Sequence, residues 1–225
     1  MISRIAFVAC FCLATPAFGL IIDDFSVGDI TVEVDYDTPS NAIRQTGLDT
    51  STVIGGTRYI GLLLDQGQPG EGGAAIVDTT TQTLRMQATT LGGFETSGVA
   101  WATFADPGTA LNADLLADGA NAFQMDVVSL SDTIPFRLLL RSGFDEGAMK
   151  EDSWTVRLPP SDVPYSVQMA FSLFPEVDFT DIDYISLDAS TPRFSLTLDA
   201  IRTVPEPSTL AMLILGLIGV WMRRR

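Results

Sequence analysis

Along most of this chain hydrophobic and polar residues alternate one by one, the period of a half-buried strand. Residues 30–36 are the clearest case. Ile30, Val32, Val34 and Tyr36 fall on one side, and Thr31, Glu33 and Asp35 on the other. Residues 58–64, 74–78, 83–88 and 99–104 have the same β-rich character, and 79–82 reads as a hairpin turn. In the second half, strands are predicted over 122–129, 136–141, 154–158, 166–173, 184–189 and 194–202. Gly, Asp, Asn and Pro clusters punctuate them. No helical period is sustained between residues 20 and 204; 113–117 is at most one turn, ended by Asp118 and Gly119. Many short strands at even spacing predict one all-β domain over 20–204, an antiparallel jelly-roll-like β-sandwich. That length is enough for a sizeable core.

Both ends of the chain depart from this period. At the start, Arg4 precedes an apolar run over 5–14, and Ala17-Phe18-Gly19 places small residues before Leu20. This is the pattern of a secretory signal peptide over 1–19, cut before Leu20 or after Ala17. A lipoprotein signal ending at Cys10 or Cys12 would need a lipobox, and neither cysteine has a good one before it. At the other end, Pro205, Glu206 and Pro207 precede an uncharged run over 210–222, and Arg223, Arg224 and Arg225 follow. The prolines stiffen the backbone that leads into the run. As a short hydrophobic helix, the 13 residues would cover roughly 20 Å, less than the roughly 30 Å of a hydrocarbon core. The arginines would stay on the cytoplasmic side.

The order of these parts resembles the PEP-CTERM sorting signal of bacterial exported proteins: a Pro-Glu-Pro motif, a short transmembrane helix and a basic tail. The resemblance covers 205–225, about a tenth of the chain. It implies export through the secretion machinery and transient residence in the inner membrane. It also implies removal of the tail by an exosortase, then delivery to the cell surface or extracellular matrix, in systems that accompany exopolysaccharide and biofilm.

Composition narrows the chemistry. Both cysteines lie within the signal and the chain has no histidine, so the domain cannot use disulfides, Cys–His or Ser-His-Asp catalysis, or histidine metal sites. Between Leu20 and Val204 there are 27 acidic and 9 basic residues, a balance of −18. That argues against a nucleic-acid partner, whose phosphates need a basic face.

The domain opens on Leu20-Ile21-Ile22-Asp23-Asp24-Phe25 and closes on strand 194–202, which contains Asp199. This pairing resembles jelly rolls of the carbohydrate-binding-module type, whose first and last strands lie side by side. The resemblance implies a structural calcium near the two chain ends, at Asp24 and Asp199. Two further segments are similar to proteins that carry the same tail: Ile54-Gly55-Gly56-Thr57-Arg58, and Asp114-Leu115 leading through Gly119 to Asn121-Ala122-Phe123.

Glu176-Val177-Asp178-Phe179-Thr180-Asp181 resembles the Glu-x-Asp-x-x-Glu motif of a retaining glycosidase family with a β-jelly-roll fold. On a strand, Glu176 and Asp178 would share one face, near the 5–5.5 Å such enzymes need. Asp181 stands where that family has its acid/base Glu, and the alternative is an acidic loop between strands. Tyr59, Trp101, Trp154 and Tyr165 are candidates for stacking on sugar rings; core burial is the alternative for both tryptophans. Asp145, Glu146, Glu151 and Asp152 read as an acidic loop. Gly67, Gly70, Gly72 and Gly73 make a flexible loop without a phosphate-cradle context. The reading is a non-enzymatic surface or matrix protein with no catalytic residues. Its alternatives are a carbohydrate-binding adhesin and a glycosidase using Glu176 and Asp178.

Overall fold

A computed structural model describes residues 19–65, 69–89, 97–105, 110–144, 147, 149–191 and 193–205. Residues 1–18 of the expected signal peptide and the C-terminal helix lie outside the described residues, as do Glu206, Pro207 and the arginine tail. Among the described residues no helix is long and apolar enough to cross a membrane.

Among the described residues, thirteen strands form two antiparallel sheets. They are β1 (Ile21–Asp23), β2 (Ile30–Asp35), β3 (Ser40–Thr46), β4 (Thr57–Asp65), β5 (Gly72–Asp78), β6 (Thr83–Thr89) and β7 (Ser97–Phe104). Then follow β8 (Ala122–Leu130), β9 (Ile134–Ser142), β10 (Lys150–Leu158), β11 (Tyr165–Ala170), β12 (Ile182–Thr191) and β13 (Arg193–Val204). One sheet has the order β11-β8-β13-β6-β5-β2, with β1 joined to β13; the other runs β10-β9-β12-β7-β4-β3. This is the antiparallel β-sandwich that the alternation predicts, and first and last strands do pair, Ile21 opposite Arg202 and Asp23 opposite Ile201.

The core follows directly from the two-residue period. Ile30, Val32 and Val34 of β2 face inward, as do Ile60, Leu62 and Leu64 of β4, Phe136, Leu138 and Leu140 of β9, and Phe194, Leu196 and Leu198 of β13. Each such side chain contributes about 1.5–3 kcal/mol on full burial. Below the β8–β11 end, Phe123, Phe171, Phe174 and Phe179 form a ring cluster, with Phe171 stacked on Phe179 at 4.1 Å and set edge-on to Phe123 at 5.0 Å.

One polar group is enclosed among these residues. Arg58 has the inward parity of β4, and its side chain is fully buried beside an equally buried Asp23. Its Nη1 donates to both carboxylate oxygens at 3.0 and 2.7 Å. Its Nη2 donates to Val27 O at 2.7 Å, Gly28 O at 2.9 Å and Gln45 Oε1 at 2.8 Å, and Nε also reaches Gln45. Asp23 Oδ1 accepts the Phe25 N–H at 2.8 Å. That bond holds Phe25 at φ 54, with its ring beneath the guanidinium at 5.9 Å. The network ties β1 of one sheet to β4 of the other. The segment 54–58 supplies it: Gly55 and Gly56 take positive φ in a 3-10 turn, and a Cβ on Gly56 would sit 2.8 Å from Leu48 O.

Candidate functional site

The two outer faces of the sandwich differ in kind. Register places Tyr59 of β4 beside Thr103 of β7, and Trp101 of β7 between Gly61 of β4 and Asp188 of β12. Tyr184 of β12 lies beside Arg141 of β9. All point away from the core, so the six-stranded sheet presents Tyr59, Trp101 and Tyr184 on its outer face. The outer positions of the seven-stranded sheet carry Thr31, Glu33, Arg85, Gln87, Gln124, Asp126, Ser166 and Gln168 and no described aromatic.

Gly61 is what lets Trp101 lie down. A Cβ there would stand 2.2 Å from Cζ2 and 2.4 Å from Cε2, so the six-membered ring covers the glycine and turns its other side to solvent. Arg141 lies over the Tyr184 ring at 4.9 Å and donates to Glu151 at 2.6 Å. Arg137 holds Asp188 through Nε at 2.8 Å and through Nη2. The outer face thus carries the Trp101 ring laid on Gly61, the Tyr184 ring beneath Arg141 and hydrogen-bonding groups between them, side chains of the kind that can engage a sugar ring and its substituents.

The other stacking candidates lie elsewhere. Trp154 has the inward parity of edge strand β10, opposite Leu138, and is 43% exposed. Tyr165 is half-buried on β11 and donates to Pro159 O at 2.9 Å. Tyr184 is absent from the sequence candidates, although the 184-186-188 alternation put it on the outer parity of its strand.

The glycosidase reading is corrected. Residues 176–181 are turns between the 3-10 turn Phe171–Leu173 and β12, so Glu176 and Asp178 do not share a strand face. Val177 and Phe179 are buried on the phenylalanine cluster, which produced a strand-like alternation in a segment that is not one. Asp178 Oδ1 accepts Thr180 Oγ1 at 2.7 Å and Thr180 N at 3.0 Å. Those bonds hold its carboxyl below the usual range and commit it to the turn. The acidic loop is corrected too: Glu151 and Asp152 belong to β10, while Asp145 and Glu146 lie outside the described residues. Gly72 and Gly73 belong to β5, and Gly67 is outside the described residues. Segment 115–118 is a turn, with Asp114 Oδ1 accepting the Leu116 N–H at 2.9 Å.

Of the calcium pair, Asp24 directly follows β1 and its Oδ1 accepts Ser26 Oγ at 2.6 Å and Ser26 N at 3.0 Å. Asp199 is exposed at the bulge where β13 shifts register against β8, and lines a shallow recess with Asp126, Pro164, Tyr165 and Ser166. No group of three or more acidic, histidine or cysteine side chains suited to a metal occurs among the described residues. Inside the core, burial pushes the Asp23 carboxyl up to about 6, against the pull of Arg58 and the Phe25 N–H.

Residues 203–225 match the family model described as the PEP-CTERM protein-sorting motif. The chain ends in a PEP-CTERM sorting motif. It is thus an exported protein sorted through a membrane step. No curated protein matches the chain. Its fold is similar to a family 11 carbohydrate-binding module from Clostridium thermocellum, solved with a β-1,3-1,4-mixed-linked tetrasaccharide, at 14% identity and TM-score 0.36 over 79% of this chain and 96% of that one. The solution structure of CtCBM11 aligns at 12% identity and TM-score 0.43, over 85% of this chain and 98% of that one. PfGH50B aligns at 13% identity and TM-score 0.37, over 60% of this chain and 22% of that one. These likenesses concern the sandwich architecture; the sugar named belongs to that module.

Proposed function

We propose that this exported protein acts without catalysis, as a glycan-binding β-sandwich delivered to the cell surface or exopolysaccharide matrix after an exosortase removes its tail. The observation that carries the reading is the one-sided placement of Tyr59, Trp101 and Tyr184 on the outer face of the six-stranded sheet. Rings left on a flat outer face cost burial without adding to the core, so a partner that covers them offsets the cost. The boundaries of the mature domain are proposed at 20–204.

A glycan array probed with residues 20–204 tests the binding claim. Retention of a polysaccharide that is lost in Trp101→Ala supports it, while a silent array reduces the protein to a matrix component without a ligand. Intact-mass spectrometry of the protein from its own host tests the processing. A mass that still includes the arginine tail removes the sorting step.

A further inference from the structure

The inference concerns the charge of the ligand and rests on the glycan-binding reading. Between Leu20 and Val204 the chain has nine basic residues: Arg44, Arg58, Arg85, Arg137, Arg141, Lys150, Arg157, Arg193 and Arg202. Arg58 is enclosed in the core, which leaves eight. Four of these share the outer parity of the six-stranded sheet. Arg44 of β3 stands opposite Tyr59, Arg137 and Arg141 of β9 stand opposite Asp188 and Tyr184, and Arg157 of β10 stands opposite Pro135. Among the described side chains the acids on this face are Glu151 and Asp188, each paired with one of these arginines. A domain with a balance of −18 thus gathers half of its accessible cations on the one face that also bears aromatic rings.

We infer that this face takes an acidic polysaccharide, one whose sugar rings carry carboxylates, in preference to a neutral glycan. The rest of the surface repels such a polymer, so only a locally positive face admits it. Arginine suits the task because its planar fork meets a carboxylate with two parallel hydrogen bonds, and it stacks on aromatic rings as Arg141 does on Tyr184. Five spacings of about 4.8 Å separate β3 from β10, and Arg157 lies four residues along its strand from the row of Arg44, so the two arginines bracket a diagonal track of about 28 Å that passes Tyr59 and Trp101. That is the length of an oligosaccharide rather than of one sugar. Nucleic acid is the competing polyanion. The face offers few cations for a duplex that carries one charge per about 1.7 Å, and the rest of the molecule opposes it.

The test uses the full-length chain in a non-ionic detergent, bound to four probes: a polyuronate, the same polymer with its carboxyls reduced to alcohols, double-stranded DNA and anionic lipid vesicles. The polyuronate is expected to bind at least tenfold more tightly than its reduced form and to weaken as salt is raised. Arg44→Gln with Arg157→Gln is expected to weaken polyuronate binding about tenfold, the loss of two exposed charge pairs. Both arginines are exposed, so the fold survives the change. Arg85→Gln, on the outer face of the other sheet, is expected to bind as wild type does. Equal affinity for the two polymers overturns the inference and leaves the glycan reading standing. Failure to bind either polymer overturns both. DNA or vesicles held as tightly as the polyuronate overturn the carboxylate claim, as does an Arg85→Gln loss equal to that of the double variant.

Discussion

Replacing Arg58 by Met tests what joins the two sheets. Met keeps much of the volume but removes every donor. Asp23 then stays in the core without its cation, and Val27 O, Gly28 O and Gln45 Oε1 lose the hydrogen bonds of 2.7, 2.9 and 2.8 Å that Arg58 supplies. Removing one partner of a buried pair costs about 3–5 kcal/mol. With a urea slope of about 2 kcal/mol/M, the unfolding midpoint of residues 20–204 should fall by about 2 M. Asp23→Asn should cost less, because the amide oxygen still accepts the Phe25 N–H that sets φ 54. Acidity gives an independent arm. The folded carboxyl titrates near 6 and the unfolded one near 3.8. Between these values the folded state holds the extra proton, so stability from this group grows as pH falls through the window and is lost as pH rises through 6. The advantage of wild type over Asp23→Asn should therefore widen by about 2 kcal/mol from pH 7 to pH 4. An advantage that narrows with acid would show that the ion pair outweighs desolvation and that the direction argued for Asp23 is reversed. A cost below 1 kcal/mol for Arg58→Met would refute the structural role itself.

Carboxyl titration by NMR should place Asp29, Asp49, Asp78 and Asp178 below the ordinary aspartate value, since each accepts hydrogen bonds from nearby backbone and side-chain groups, chiefly backbone N–H for the first three and the Thr180 hydroxyl for Asp178. Their stabilisation is present above that value and fades as pH falls through the depressed one; an ordinary value for Asp178 would contradict its turn geometry. Gly61→Ala should lift the Trp101 ring, cost about 1–3 kcal/mol as an overpacked contact and weaken glycan binding, with tryptophan fluorescence reporting the displacement. A calcium held by Asp24 and Asp199 would raise the melting temperature in millimolar calcium over that in EDTA, and Asp199→Ala would abolish the rise; coincident melts of wild type would remove the site.

Strands whose two faces differ in burial were the most legible in the sequence. β2 alternates buried and exposed residues, and its pattern is plain. β3, Ser-Asn-Ala-Ile-Arg-Gln-Thr, is an edge strand with neither face buried, so it shows no period and went unrecognised. The same principle misled at 176–181, where Val177 and Phe179 anchor a turn and mimic a strand. Arg58 was visible in a stricter sense. It holds the same parity as Ile60, Leu62 and Leu64, a parity that points inside. Its charge argued the other way, and only the partner from β1, distant in sequence, reconciles the two. The proposed glycan-binding face was half visible: Tyr59 and Trp101 can be named from the chain, but which aromatics share a face depends on pairings that no local pattern encodes.

The placement of the chain ends connects the sorting signal to the site. The Leu20 N–H donates to Thr203 Oγ1 at 2.9 Å, and the Thr203 N–H returns a bond to Leu20 O at 2.9 Å. The Pro-Glu-Pro part of the sorting motif begins at Pro205, directly after the end of β13. A signal-peptide cut before Leu20 thus leaves the new amino terminus clamped beside the point where the tail departs. Both ends leave from β1 and β13, which belong to the seven-stranded sheet. The six-stranded sheet, which bears the rings and the arginines, lies on the opposite side of the sandwich from the strands that carry the tail. In the proposed function, a domain held from one sheet keeps the outer face of the other open to its polymer.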